Sequence, residues 1–417
     1  MALALSDPVK LPCGLELPNR FVKAAMAEMM ADPKDGLPNE DFIEAYGKWA
    51  EGSWGAILTG NVQVDLEYVG STKDPSTGPY MKKNIEIWRL FADTCQKKGT
   101  PAIVQICHPG RQSVRGAGRR GLFTQTMAPS AVPMNMGNGL LAKFVRWLVF
   151  GAPREMTVED IKRVIDLFVD TARLMADSGF AGVQLHGAHG YLLTQFLTSK
   201  TNFRTDEYGG TPEKRAKIVV EIIKAIRSVV PATFCIGIKL NSADHNSGDF
   251  DATVRQIELL IKAGIDFLEV SGGSAEDPKM MGRDHLPKKV EAKKSERTLA
   301  REAFFIDFAT QIRKHFPDLV LMVTGGIRSR RGAEAVVHSK AGDLVGIGRP
   351  AVINPKFPQL LLDKSVPDEE AQLVLAKVPL PGWIKFLDLK ALGAGVETGF
   401  YVTQIQRLAK GLATFGP

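Results

Sequence analysis

The chain has 417 residues, 44% hydrophobic, 8% aromatic and 24% charged, which is enough apolar material for a sizeable core and too much for a disordered chain. Its formal net charge of +7 favours anionic partners in general, yet basic groups such as Arg119-Arg120, Lys288-Lys289 and Lys293-Lys294 are short and mixed with acids, which argues against nucleic acid. The four cysteines, scattered in sequence, form neither a CxxC pair nor a clustered metal set, and MALALSDPVKLPCG lacks the basic start and apolar core of a signal peptide, so a cytoplasmic protein is expected.

In chain order, eight short apolar segments read as strands buried on both faces: Phe21 to Ala25, Gly55 to Gly60, Pro101 to Cys107, Ala181 to Leu185, Thr233 to Leu240, Phe267 to Val270, Leu319 to Val323 and Leu344 to Ile347. Amphipathic stretches lie between them, at Glu40 to Glu51, Ile85 to Lys98, Thr157 to Ser178, Pro212 to Val229, Phe250 to Ala263, Glu302 to His315 and Arg330 to Ser339. In the third of these, Ile161, Val164, Ile165, Phe168, Ala172 and Met175 recur at helical spacing, and Thr157 with Asp160 reads as a capping box. The alternation predicts a closed (β/α)8 TIM barrel rather than an open doubly wound sheet, because no GxGxxG follows the first strand.

Two segments break the rhythm. A long third βα loop carries QSVRGAGRRG, APSAVPMNMGNG and LLAKFVRWLVFG, and a helical extension follows the eighth strand, so the expected division is a barrel over residues 1–365 and an extension over 366–417. The apolar segment at 139–150 is too short to span a membrane, as is every other run, since a span needs about 18 apolar residues. A surface helix on a membrane is one reading of it; a substrate lid or dimer contact is preferred, because it sits within a loop on the active-site face.

Polar residues gather at the carboxyl ends of the strands, where a barrel of this kind places its site: Thr59 and Asn61, Gln105 and His108, His186, His189 and Tyr191, Lys239 and Asn241, Glu269 and Ser271. After the last two strands, TGGIRS and GIGRP offer glycine N–H groups and Arg349 at the usual phosphate position. Metal ligation and a structural pair are the rival uses of His186 and His189. No third ligand stands at an informative spacing, which favours hydrogen bonding to a substrate or cofactor and no metal.

The blocks NRFVKAAM, VQICHPGR, LHGAHGYL, FRTDEYGG, TPEKR, TGGI and GIGR occur in the order found in the old yellow enzyme family, which the chain resembles from about residue 5 to 365. That resemblance implies non-covalent FMN, reduced by NADH or NADPH and reoxidised by an enone or related electron-poor alkene. It also implies that Ala24, Ala25, Met26, Gly60, Gln105 and Lys239 line the flavin, and that Gly325, Gly326, Gly348 and Arg349 hold its phosphate. His186 and His189 would take the substrate carbonyl oxygen, and Tyr191 would give the proton to the α-carbon.

Two positions depart from common members. Ala27 stands where cysteine or threonine is frequent, so a shifted flavin potential is expected; Lys239 replaces an arginine, keeping charge and losing the fork. Arg215, Asp206 and Glu207 read as loop-holding charges. A homodimer is a reasonable default. The alternatives are another FMN-dependent TIM-barrel oxidoreductase or a non-catalytic flavin-binding protein.

Overall fold

The computed structural model describes residues 4–137, 139–242, 250–271, 294–376, 378–379 and 392–417, with side chains described except at 294–304 and 392–394. The pair Lys288-Lys289 and Lys293 lie outside the described residues.

Eight parallel strands close into a barrel: β1 (Phe21–Lys23), β2 (Ala56–Gln63), β3 (Ala102–Cys107), β4 (Gly182–Gly187), β5 (Cys235–Asn241), β6 (Phe267–Ser271), β7 (Leu321–Thr324) and β8 (Leu344–Ile347), with β8 returning to β1. The expected barrel is therefore present, each strand within a few residues of its sequence reading. Alternation along the strands makes two apolar layers. Val22, Ala56, Leu58, Ile103, Phe267, Met322 and Leu344 fill the interior, joined from below by Val9, Leu11 and Leu17 of a small antiparallel hairpin. Residues of opposite parity, such as Phe21, Ile57, Val104 and Val183, pack under the helices. Gly237 is required here, because an added Cβ would lie 2.2 Å from the Phe267 ring.

The helices follow their sequence signals. α1 (Glu40–Ala50) is capped by Asn39, α4 (Val158–Asp177) by the reciprocal Thr157–Asp160 box, and α6 (Pro212–Val229) by Thr211 with proline at its first position. α2 (Ile85–Gln96), α7 (Phe250–Ala263) and α9 (Arg330–His338) match their predicted spans closely, whereas α8 (Lys294–His315) begins eight residues ahead of Glu302, in a charged stretch without helical apolar periodicity.

The third βα loop carries α3 (Leu140–Val149), and two arginines fasten the loop segments on either side of that helix. Arg111 Nη1 donates to Val132 O (3.1 Å) and Pro133 O (3.0 Å), and Arg204 Nη1 to Pro129 O (3.1 Å) and Met156 O (2.6 Å). The short helix α5 (Leu192–Leu197) follows β4, and α10 (Arg349–Ile353) and α11 (Phe357–Leu362) follow β8. The last helix, α12 (Leu392–Ala409), packs on α1 and α10, and its Tyr401, Ile405 and Leu408 belong to the main core. No helix among the described residues is long and apolar enough to cross a membrane.

Candidate active site

β2 and β3 run out of step between Leu58 and Asn61: two residues, Thr59 and Gly60, oppose one on β3. Such a bulge re-aims the side chains beyond it. Thr59 Oγ1 accepts from Gln105 N at 3.1 Å, and Asn61 Nδ2 reaches the Tyr191 hydroxyl at 3.3 Å. Gly60 donates its N–H to Glu28 Oε1 (2.8 Å), and an added Cβ would lie 2.0 Å from Glu28 Oε2. Glycine is thus demanded by the packing of the chain itself, a reason the sequence reading did not contain.

At the end of β4, His186, His189 and Tyr191 meet. The ring of His186 lies 4.9 Å from that of His189 and 4.6 Å from that of Tyr191, edge to face in both cases. His189 has φ +58°, a left-handed conformation that a side chain disfavours. It is held by Asn241 Oδ1 on its N–H (3.1 Å), Gln112 Nε2 on its carbonyl (2.9 Å) and Ser271 Oγ on its ring (3.2 Å).

The tautomers follow from the bonds. His186 Nδ1 accepts from Ala188 N, so its proton sits on Nε2 and points to His189 Nδ1 at 3.3 Å, which leaves the His189 proton on Nε2, facing Ser271. Burial, then His189 and Lys239, press the His186 pKa well below the ordinary imidazole value, so this ring is neutral. Burial first, with Cys107 and Asp74 nearby, pushes the Tyr191 phenol above its usual value.

A buried polar chain runs under these rings: Gln105 Nε2 donates to Gln184 Oε1 (2.7 Å), Gln184 Nε2 to Glu269 Oε2 (2.7 Å), and Glu269 Oε1 pairs with Lys239 Nζ (3.0 Å). The structure therefore links two residues expected at the cofactor, Gln105 and Lys239, through two others. Lys239 faces a buried acid, Glu269, a pairing that sequence spacing did not reveal.

At the carboxyl ends of β7 and β8, where the sequence reading expects a phosphate, Gly325 and Gly326 have φ +143° and +78°, and Gly348 faces Met26, where an added Cβ would lie 3.2 Å from Sδ. Arg349 is here, but its Nη1 is ion-paired with Glu397 of α12. Ala24 is buried and donates to Ile347 O at 2.9 Å, while Ala25, Met26 and Ala27 are half-buried. The set fits FMN: amide groups suit a pyrimidine edge, Lys239 suits negative charge on a reduced ring, and the Gly325–Gly326 turn and Arg349 suit a phosphate.

Other candidates hold the loops. His108 Nδ1 accepts from Gly110 N (3.0 Å), and its Nε2 faces Asp65 at 3.5 Å. Burial acts to raise the Asp65 carboxyl, but His108 and Arg163 overcome it and hold the group well below the usual range. Asp206 is gripped by Arg204 and Glu207 by Lys217; Arg215 donates to Leu197 O (3.0 Å) and Gly210 O (2.6 Å), the first being an open carbonyl at the end of α5.

Sequence reasoning passed over a buried cluster behind Gly60. Lys23 Nζ donates to Leu58 O at 3.0 Å and lies 4.4 Å from the Trp49 ring, and burial lowers its pKa to about 8. Glu28, whose pKa burial raises, accepts from the Tyr46 hydroxyl. The available signal was a lysine inside an apolar strand, FVKAA. Nor did spacing foretell that Cys13 and Cys235 would meet, with Asp266, within 4.8 Å at the barrel base.

The model of the NADH:flavin oxidoreductase / NADH oxidase family matches residues 4–368. The chain is 48% identical over 411 residues to the "NADH-dependent flavin oxidoreductase iliE" of Neonectria sp. (strain DH2), covering 96% of this chain and 53% of that protein, so it spans about half of that relative's length. It is 44% identical to the "NADH-dependent flavin oxidoreductase iccE" of Talaromyces variabilis, covering 98% and 99% of the two. Among solved structures, morphinone reductase (TM-score 0.69, 22% identity, 87% and 90% coverage) and the old yellow enzyme homologue from Zymomonas mobilis (TM-score 0.69, 22% identity, 91% and 100%) share the fold.

Proposed function

From the premise that this chain belongs to the NADH:flavin oxidoreductase / NADH oxidase family, whose members are FMN-dependent oxidoreductases drawing on a nicotinamide, we propose that it reduces the activated C=C bond of α,β-unsaturated carbonyl compounds. The observation that carries this reading is the convergence of two imidazoles, one held neutral by burial, and a protonated phenol above the Gln105–Gln184–Glu269–Lys239 chain. When bound, FMN supplies the hydride chemistry that links NADH or NADPH to the β-carbon of the alkene.

Every other step belongs to the chain. Ala24, Ala25, Met26, Gly60, Gln105 and Lys239 line the ring site, and Gly325, Gly326, Gly348 and Arg349 receive the phosphate. His186 and His189 donate N–H bonds to the carbonyl oxygen, where negative charge grows as hydride arrives, so the bonds strengthen most in the transition state. For both to reach one oxygen, the His186–His189 bond opens and the His189 N–H leaves Ser271. Tyr191 gives its proton to the α-carbon. Asn61 donates to the phenol oxygen and so leaves the hydroxyl hydrogen free for transfer.

An absorbance experiment tests this. The purified protein should be yellow, bleach anaerobically with NADH or NADPH, and recover its colour when cyclohexenone is added. Bleaching without recovery would leave a flavin reductase of another substrate class, and a colourless protein that ignores added FMN would remove the reading altogether.

A further inference from the structure

Helix α3 turns its apolar side outward. Leu140 is 85% exposed, Phe144 56% and Trp147 54%, with Leu141 and Leu148 similar, and among its residues only Ala142 is buried. Phe123, 80% exposed, extends the same patch with its neighbour Leu122: the Arg115 guanidinium lies 5.9 Å from the Phe123 ring and 5.2 Å from the Trp147 ring. A contiguous exposed patch of this kind marks a contact surface.

Its charge selects the partner. The Arg119-Arg120 pair, read from sequence as mixed with acids, in fact stands in a stretch, His108 to Arg154, that has no Asp or Glu and in which Arg111, Arg115, Lys143, Arg146 and Arg154 are basic too. Arg119 and Lys143 are exposed, Arg115 and Arg146 partly so. Of the acids near the segment, Asp65 and Glu67 pair with Arg163, Glu155 with Arg204 and Asp160 with Arg154. A second copy meeting this face about a twofold axis would set these cations against their own like, which disfavours the dimer contact, one of the two readings, beside a substrate lid, preferred from sequence. A bilayer with anionic headgroups satisfies both features: aliphatic and indole side chains enter the headgroup–acyl boundary while the cations stay among lipid phosphates.

We propose that α3 and the Leu122–Phe123 turn form a docking surface for an anionic lipid bilayer, with the helix lying in the membrane plane. The loop leaves the carboxyl end of β3, the end at which Tyr191 stands, so docking brings the barrel mouth toward the lipid.

The test uses FMN-loaded protein sedimented with vesicles of phosphatidylcholine alone or mixed with phosphatidylserine. Binding to the mixed vesicles should be at least roughly tenfold tighter and weaken with salt. Phe144→Ser with Trp147→Ser, and separately Lys143→Glu with Arg119→Glu, should each abolish it; all four side chains are exposed, and circular dichroism checks the fold. Absence of binding to either vesicle, or binding that survives both pairs, overturns the proposal. So does a concentration-dependent dimer that the Phe144 and Trp147 pair dissolves, which assigns the face to a second copy. Slower enone turnover with unchanged vesicle binding overturns it too, making α3 a lid.

Discussion

Tyr191 illustrates how much of a residue's chemistry is written by its surroundings. Its hydroxyl is acceptor to Asn61, and burial keeps it protonated far into the alkaline range. Replacing Tyr191 with phenylalanine should preserve ring packing on His186 and remove the proposed proton donor. Stopped-flow reoxidation by an enone should then slow by about 10²- to 10⁴-fold, with reduction by NADH changing less than about twofold. Since burial raises the Tyr191 pKa above its ordinary value, loss of the phenol proton should not slow wild-type reoxidation below about pH 10. An alkaline fall at about pH 9 to 10 that Tyr191→Phe abolishes would contradict this shift.

At the scale of elements, β2 and the loop after it carry a buried acid. Asp74 accepts from Gln63 Nε2 at 2.8 Å, yet burial outweighs that bond and raises its carboxyl to about 7. The native state therefore holds a proton that the unfolded chain releases near about pH 4. Between those values the folded form binds more protons, so stability falls as pH rises and levels off above the folded pKa. Asp74→Asn should erase that decline, which melting temperatures of both proteins across about pH 5 to 8 will show. A second element-level contact joins α10 to α12, where Glu397 occupies Arg349. Glu397→Gln should free the guanidinium and tighten FMN binding roughly fivefold to tenfold in a fluorescence titration. Weaker binding would mean that the acid positions the arginine rather than competing with the phosphate.

Over the whole molecule, the C-terminal helix shares one core with the barrel. Ile405 is fully buried against it, Gln406 Nε2 donates to Met29 O at 3.2 Å, and Thr414 Oγ1 to Ile353 O at 2.7 Å. Ile405→Ala should therefore cost about 2–5 kcal/mol and lower a single unfolding transition, followed by circular dichroism and by flavin fluorescence together. Two separated transitions would instead make residues 366–417 an independent unit.

The sequence by itself determined the eight strands, most helices, the Thr157–Asp160 cap and the polar strand ends, because these depend on local periodicity and on hydrogen bonds within a few residues. It also brought His186, His189 and Tyr191 together, since a six-residue span at a strand end cannot scatter them. Tertiary structure alone decided the β2 bulge that aims Asn61, the pairing of Lys239 with Glu269, the capture of Arg349 by Glu397 and the outward apolar face of α3. Each of these depends on residues far apart in the chain or on which surface remains uncovered after packing, and neither spacing nor composition carries that information.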